Sequence, residues 1–266
     1  MTYRKAFHMS SNTTAVLDRF RLDGKVVLVT GASSGLGVAF AVACAEAGAD
    51  VVAAARRTER LADTVAMVNA AGHEALAVSA DVSVESDCRR IVEQAMEHFG
   101  RVDVLVNNAG IEDAGPASRL TLQTFQRVIN VNVNACFLMA QASATVMTPG
   151  SSIVNIASIM AHTTLDVPGG TAYNTSKAAV LGLTRSLARQ WTRRKGIRVN
   201  ALLPGFFPSE MTDGQGVTAE FLGDRLVMGR LGNPDELAAA LVFLASDASS
   251  YMTGSELVVD GGFLLS

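Results

Sequence analysis

From Lys25 onward the chain alternates short apolar runs with longer amphipathic segments. The first run, Val26-Val27-Leu28-Val29, is apolar at every position, which predicts a strand covered on both faces. Runs of the same kind stand at 51–55, 75–79, 102–106, 153–157, 197–203 and 257–259. Between most of them lie stretches of helical composition, at 38–47, 58–71, 84–99, 121–146, 173–194 and 234–245. Strand and helix in repeated alternation predict an α/β fold: a doubly wound parallel sheet of Rossmann type in three α/β/α layers. Crossovers between parallel strands are right-handed, and ligands bind beyond the carboxyl ends of the strands. The segments at those ends, the glycine-rich stretch after Thr30, Asp81, residues 107–110 and Ser158, should therefore meet in one crevice.

With 266 residues and 49% hydrophobic content, the chain is long enough for one large domain, expected over 22–266, and shows no internal repeat or linker. Residues 1–21 read as a polar extension, with Ser10, Ser11, Asn12, Thr13 and Thr14 in a row. Arg4, Lys5 and Arg19, opposed only by Asp18, faintly suggest an organelle transit peptide; a flexible extension is the preferred reading. The net charge of −3 offers no general field for nucleic acid or an anionic membrane. No apolar run reaches the roughly 20 residues needed to cross a bilayer, and the first residues lack the apolar core of a secretory signal. Cys44, Cys88 and Cys136 are far apart without metal-type spacing, so neither a disulfide framework nor a metal site is expected, and a reducing cytoplasm fits.

Candidate chemistry gathers in two stretches. Thr30-Gly31-Ala32-Ser33-Ser34-Gly35-Leu36-Gly37 joins the first strand to the Ala-rich segment that stops at Gly48. Glycine at such a turn lets the backbone approach a pyrophosphate, and the free N–H groups and positive dipole end of a helix favour that anion. Further along, Tyr173 and Lys177 are four residues apart and so share one helical face. A phenol of ordinary pKa is a poor acid or base near neutrality, but an adjacent ammonium favours the phenolate, so Lys177 is expected to lower the Tyr173 pKa and make the two one acid/base unit.

In their order, these motifs resemble those of the short-chain dehydrogenase/reductase family over nearly the whole chain from Leu22. The turn from Thr30 to Gly37 matches the family's Thr-Gly-x-x-x-Gly-x-Gly, and Asn107-Asn108-Ala109-Gly110 its Asn-Asn-Ala-Gly. Asn132, Ser158, Tyr173 and Lys177 stand in the order of its catalytic tetrad, while Pro204-Gly205 and Val259-Asp260-Gly261-Gly262 match its C-terminal motifs. The resemblance implies an oxidoreductase that moves a hydride between a nicotinamide cofactor and a carbonyl or secondary alcohol. Tyr173 would exchange the proton, Ser158 would hold the carbonyl oxygen, and Lys177 would stabilise the tyrosinate and bind the ribose. Asn132 would position a water linking Lys177 to solvent. Asn130, Asn132 and Asn134 all compete for that role, and the spacing to Phe137 selects Asn132; a helix-bending asparagine is the bland alternative.

By the same resemblance the cofactor would lie on Gly31, Ser33, Ser34, Gly35, Leu36, Gly37, Asn108, Ala109 and Gly110, with Asp81 and Val82 at the adenine. Pro204, Gly205 and Ser209 would hold the carboxamide, Ser209 standing where the family usually has threonine. Members that use NAD carry an acid after the second strand; here Ala53-Ala54-Ala55 leads into Arg56-Arg57. Arg56, with Arg57 as second candidate, would pair with a 2'-phosphate, so NADP is favoured and NAD is the alternative.

Glu112 and Asp113 could face substrate, although exposed loop carboxylates are the default, and His162 reads as a loop histidine near the substrate mouth. Residues 206–226, with Gly214, Gly216, Gly223 and few apolar anchors, suit a mobile lid over a mostly apolar pocket around Ile111, Ile159, Met160 and Phe206. The substrate would be that of a 3-oxoacyl-type or other ketoreductase. The alternatives are an NAD-dependent alcohol, polyol or steroid dehydrogenase, and a nucleotide-sensing scaffold on the same fold. Between Arg127 and Arg185 the only basic residue is Lys177, which leaves little for an acidic carrier protein to hold. An edge strand near the C-terminus, the apolar Phe263-Leu264-Leu265 and the faces of the 121–146 and 173–194 helices imply, with the family's habit, a homotetramer.

Overall fold

A computed structural model describes residues 15–113, 115–166, 169–210 and 218–265. Residues 1–14 of the expected extension and 211–217 of the expected lid lie outside the described residues. Seven strands form one parallel sheet: β1 Val26–Thr30, β2 Asp50–Ala55, β3 Ala75–Ser79, β4 Val104–Asn107, β5 Ser152–Ile156, β6 Arg198–Pro204 and β7 Glu256–Val259, in the order β3-β2-β1-β4-β5-β6-β7. The apolar run of β1 shows why both faces had to be hydrophobic. Val27 and Val29 pack into one core cluster with Phe40, Leu61 and Leu241, while Val26 and Leu28 pack into another with Ile91, Met139 and Leu187. Each strand residue is thus covered by one helical layer or the other.

The first layer holds α1 (Gly35–Glu46), α2 (Thr58–Ala70) and a late helix, Pro234–Ala245. The second holds α3 (Glu85–Phe99), α5 (Ala135–Ser143) and the 25-residue α6 (Thr171–Lys195). The chain returns from β3 to pair β4 with β1 on the side opposite β2, and this switch splits the loops leaving β1 and β4 to opposite faces. The crevice forms between them.

The helix expected over 121–146 is not uniform. It comprises α4 (Leu122–Ile129), a π-helical turn at Asn130–Asn134 and α5. An extra residue in a helical turn re-aims its side chains, and such turns are common at functional sites. Here the turn accompanies Asn132, which is 1% exposed, whereas Asn130 and Asn134 bond each other at 2.8 Å on the outside.

The described parts of the expected lid are better anchored than their sequence suggested. Leu222, in α7 (Ala219–Leu222), and Leu226 are buried with Ile159 and Phe263. Phe263 is itself fully buried, its ring 5.0 Å from that of Phe206, so of the C-terminal apolar triplet Leu265 is the exposed member. The helix Pro234–Ala245 is α8, entered through Pro234 and a capping box between Asn233 and Glu236. No helix among the described residues is long and apolar enough to cross a membrane.

Candidate active site

Every residue expected to hold the cofactor, together with Ser158, lines one crevice of about 660 Å³ at the carboxyl ends of the strands. Of the apolar residues expected around the substrate, Ile111 lines it too, whereas Ile159, Met160 and Phe206 pack into the cluster around Phe263 instead. Its floor is the turn from β1 into α1. Thr30 ties this turn to the end of β4: its hydroxyl accepts the N–H groups of Asn108 (3.0 Å) and Ala109 (3.1 Å), and Asn108 Nδ2 donates to the Thr30 carbonyl at 2.9 Å. The glycines serve this internal packing as much as an approaching ligand. A Cβ on Gly37 would fall 2.2 Å from the Gly31 carbonyl oxygen, and one on Gly31, whose φ is +67°, would fall 2.9 Å from Ala109 Cα. The start of α1 has no side-chain cap. Its uncapped N–H groups open into the crevice at Ser34, Gly35 and Leu36, a donor set suited to a pyrophosphate.

Where β2 ends, both arginines line the crevice but differ in their contacts. Arg57, rather than Arg56, reaches across the turn: its Nη2 donates to Ser34 Oγ (2.8 Å) and Ser33 Oγ (3.3 Å) and to Glu210 Oε2 (2.9 Å). Glu210 also pairs with Arg60. Asp81, opposite, commits Oδ1 to the backbone N–H and hydroxyl of Ser83.

At the other end Tyr173, Ser158 and Lys177 meet. Burial pushes the Tyr173 phenol up to about 12; the adjacent Ser158 hydroxyl works against this by hydrogen bonding, and the charge of Glu112 adds to it. Lys177 did not lower the phenol as expected. Its Nζ donates to the Ile156 carbonyl at 2.8 Å and lies 5.5 Å from the centre of the tyrosine ring, and its own burial brings it down to about 8. Desolvation by burial is the largest influence on both groups, disfavouring the phenolate and the ammonium alike.

Asn132 lies behind the crevice. Its Oδ1 accepts the Ile111 N–H (2.8 Å), and its Nδ2 donates to the Ile111 carbonyl (2.8 Å) and to Ser176 Oγ (2.9 Å). Ser176 Oγ in turn donates to the Tyr173 carbonyl at 2.7 Å. One carboxamide thus welds the loop after β4 to the helix that carries Tyr173 and Lys177.

Asp113 corrects the reading of an exposed carboxylate. It is 6% exposed, and its Oδ1 accepts the backbone N–H of Tyr173 at 2.8 Å, capping α6 from 60 positions upstream where Gly170 has no side chain to do so. Sequence reasoning missed this cap and Ser176. Nothing local marks Asp113, although a 25-residue helix that opens on glycine signals a missing cap. His162 turns away from the phenol, its Nε2 lying 2.7 Å from Glu256 Oε2 beside Arg185.

A glycine turn at a helix start and a Tyr/Ser/Lys group across one crevice define a dinucleotide-dependent oxidoreductase. The comparisons with known proteins agree. Residues 31–264 match the family model described as enoyl-(acyl carrier protein) reductase. The chain is 39% identical to the 2-dehydro-3-deoxy-D-gluconate 5-dehydrogenase of Dickeya dadantii, covering 94% of this chain and 99% of that protein. It is 38% identical to the 3-oxoacyl-(acyl-carrier-protein) reductase of Thermotoga maritima, over 92% of this chain and 100% of that one. A short-chain dehydrogenase from Burkholderia cenocepacia, solved in complex with NADP, superposes with a TM-score of 0.87 at 37% identity, covering 92% of this chain and 99% of that one. The chain belongs to the short-chain dehydrogenase/reductase family and is an NAD(P)-dependent oxidoreductase acting on CH–OH/C=O groups.

Proposed function

We propose that this protein reduces a ketone to a secondary alcohol, or runs the reverse, with NADP preferred over NAD and Tyr173 as the acid/base. The observation that carries the proposal is the Tyr173 phenol lying against the Ser158 hydroxyl with Lys177 Nζ 5.5 Å from its ring, at the mouth of a crevice floored by an uncapped helix start. A nicotinamide cofactor bound there supplies or accepts the hydride. As negative charge gathers on the substrate oxygen, Ser158 holds that oxygen by a hydrogen bond and Tyr173 delivers the proton. Lys177 stabilises the phenolate left behind and is placed to meet a ribose hydroxyl. Asn132 acts from behind, holding the loop and helix in register.

Two observations support NADP: Arg57 stands over Ser33 and Ser34 at the end of β2, and no acid follows that strand. Arg56 lines the same end of the crevice as a second cation. The named activities of the relatives, on a sugar acid and on a 3-oxoacyl group, bracket the substrate as a ketone with further oxygen functions. We also propose a cytoplasmic homotetramer, with residues 1–21 an extension of the single domain. Supporting the assembly, β7 is a sheet edge bearing Val258 at 40% exposure, and Phe137 on α5 is 40% exposed. Light scattering near four times 27.9 kDa is the expected result, and a monomer mass would reject it.

The test of activity is a panel of ketones and secondary alcohols followed by nicotinamide absorbance with each cofactor. Turnover with NADP exceeding that with NAD, and its loss in Tyr173→Phe with cofactor binding retained, is expected. Equal turnover in Tyr173→Phe would remove the phenol from the mechanism.

A further inference from the structure

Glu112 follows Ile111 on the loop leaving β4, and both of its neighbours in the chain are held. Ile111 is clamped by Asn132 through its N–H and its carbonyl, each at 2.8 Å, and Asp113 is bonded to the Tyr173 N–H at 2.8 Å. The chain is therefore tethered on both sides of Glu112. Its side chain is half-buried, lines the same crevice as Tyr173 and Ser158, and lies close enough to the phenol to raise its pKa. Its carboxylate has no hydrogen bond or ion pair among the described residues. Lys177, the ammonium that lines the same crevice, is bonded to the Ile156 carbonyl instead. Burial, with Asp113 next to it, raises Glu112 to about 7, as follows for a carboxyl that has lost water and gained no donor.

Resting on the hydride-transfer reading above, we propose that Glu112 sets the substrate class. Its carboxylate receives a hydrogen-bond donor, a hydroxyl or a protonated amine, that the substrate carries near the carbon served by Tyr173. A rigid, partly desolvated acceptor with no protein partner gains a charge-assisted hydrogen bond from such a substrate. A ketone with only hydrocarbon at that position leaves the carboxylate unpaired, and one with an anionic group there meets repulsion. This selects polar or cationic ketones out of the wider set that Ile111, Val131 and Phe207 would admit on apolar grounds.

The experiment uses the full chain with NADP at about pH 8, where Glu112 is mostly ionised, and two isosteric pairs of methyl ketones. In one pair a β-hydroxyl is replaced by methyl; in the other a β-dimethylamino group is replaced by its branched hydrocarbon isostere. The ratio of kcat/KM within each pair is measured in the parent, Glu112→Leu and Glu112→Gln, with thermal melting to show that each variant folds. The parent should prefer the donor-bearing member of at least one pair by about tenfold or more. Glu112→Leu should bring that ratio to within about twofold of unity. Glu112→Gln, which keeps shape and acceptor but not charge, separates the sources: a hydroxyl preference survives in it and an ammonium preference does not. Equal ranking in the parent, or a preference that survives in Glu112→Leu, would overturn the assignment. Failure of the underlying reading shows differently, as turnover that Tyr173→Phe does not reduce.

Discussion

The backbone N–H of Tyr173 is bonded at 2.8 Å by the carboxylate of Asp113, so the helix carrying the acid/base is capped by the loop that lines the same crevice. Removing the carboxylate frees the first turn of α6 and leaves that N–H unpaired. Asp113→Ala should cost about 1–2 kcal/mol of stability. It should also lower kcat more than it raises KM, because the phenol is displaced while the cofactor bed on β1 is not. Asp113→Asn, which keeps an acceptor oxygen, should recover most of both. Urea unfolding and steady-state kinetics on the three proteins check this, and equal kcat in parent and Asp113→Ala would reject it.

Asn132 satisfies three partners, the Ile111 N–H, the Ile111 carbonyl and the Ser176 hydroxyl, in a place that is 1% exposed. Asn132→Ala strands the Ile111 N–H and carbonyl and takes one donor from the Ser176 hydroxyl, which keeps its bond to the Tyr173 carbonyl, and the expected loss is on the order of 2–4 kcal/mol with a matching fall in kcat. Asn130→Ala and Asn134→Ala break only their mutual bond on the surface and should cost less than about 1 kcal/mol. Comparable losses at all three positions would show that the buried carboxamide is not the anchor.

Lys177 supplies a pH test. Its pKa falls from 10.5 to about 8 in the folded protein, so between those values the unfolded chain holds the extra proton and stability rises with pH. Below about pH 8 both states are protonated and the penalty of burying the ammonium is paid in full. Cys44, Cys88 and Cys136, raised to about 12, 11 and 11 by burial, slope the opposite way above pH 9. The Cys44 and Cys88 slopes are common to parent and Lys177→Met, but Cys136 feels the Lys177 charge, so the comparison is made in a background of Cys136→Ala, where the difference isolates the lysine. Melting curves from pH 7 to about 9.5 should show the advantage of Lys177→Met shrinking as pH rises. A constant difference would mean that Lys177 keeps its ordinary pKa.

Arg57 bridges Ser33, Ser34 and Glu210, while Arg56 makes the looser wall. Arg57→Ala should lower kcat/KM for NADP about 10- to 100-fold and leave NAD nearly untouched, with Arg56→Ala weaker in the same direction. Because Glu210 holds Arg57 Nη2 and would compete with a phosphate for it, Glu210→Gln should tighten NADP binding, read as a lower Kd in cofactor titration. Equal loss for both cofactors in Arg57→Ala would place the arginine elsewhere in the mechanism.

What the sequence determined by itself is the framework. Alternate residues of Val26 to Val29 go to opposite cores, and only a strand buried on both faces needs four apolar residues in a row. Period and punctuation likewise placed the glycine turn between a strand and a helix and put Tyr173 and Lys177 on one helical face, because those are local geometric facts. The tertiary structure decided what depends on who approaches from far away and how much water is left. It chose Asn132 over Asn130 and Asn134 by burying one and exposing the others. It turned Asp113 from a loop carboxylate into the cap of α6, across 60 residues of chain that no periodicity connects. It gave Arg57 the bonds to Ser33, Ser34 and Glu210 at the end of β2. It also reversed the expected effect on Tyr173, since one turn of helix sets the distance to Lys177 but only the tertiary surroundings of α6 set the desolvation that pushes the phenol up and the ammonium down.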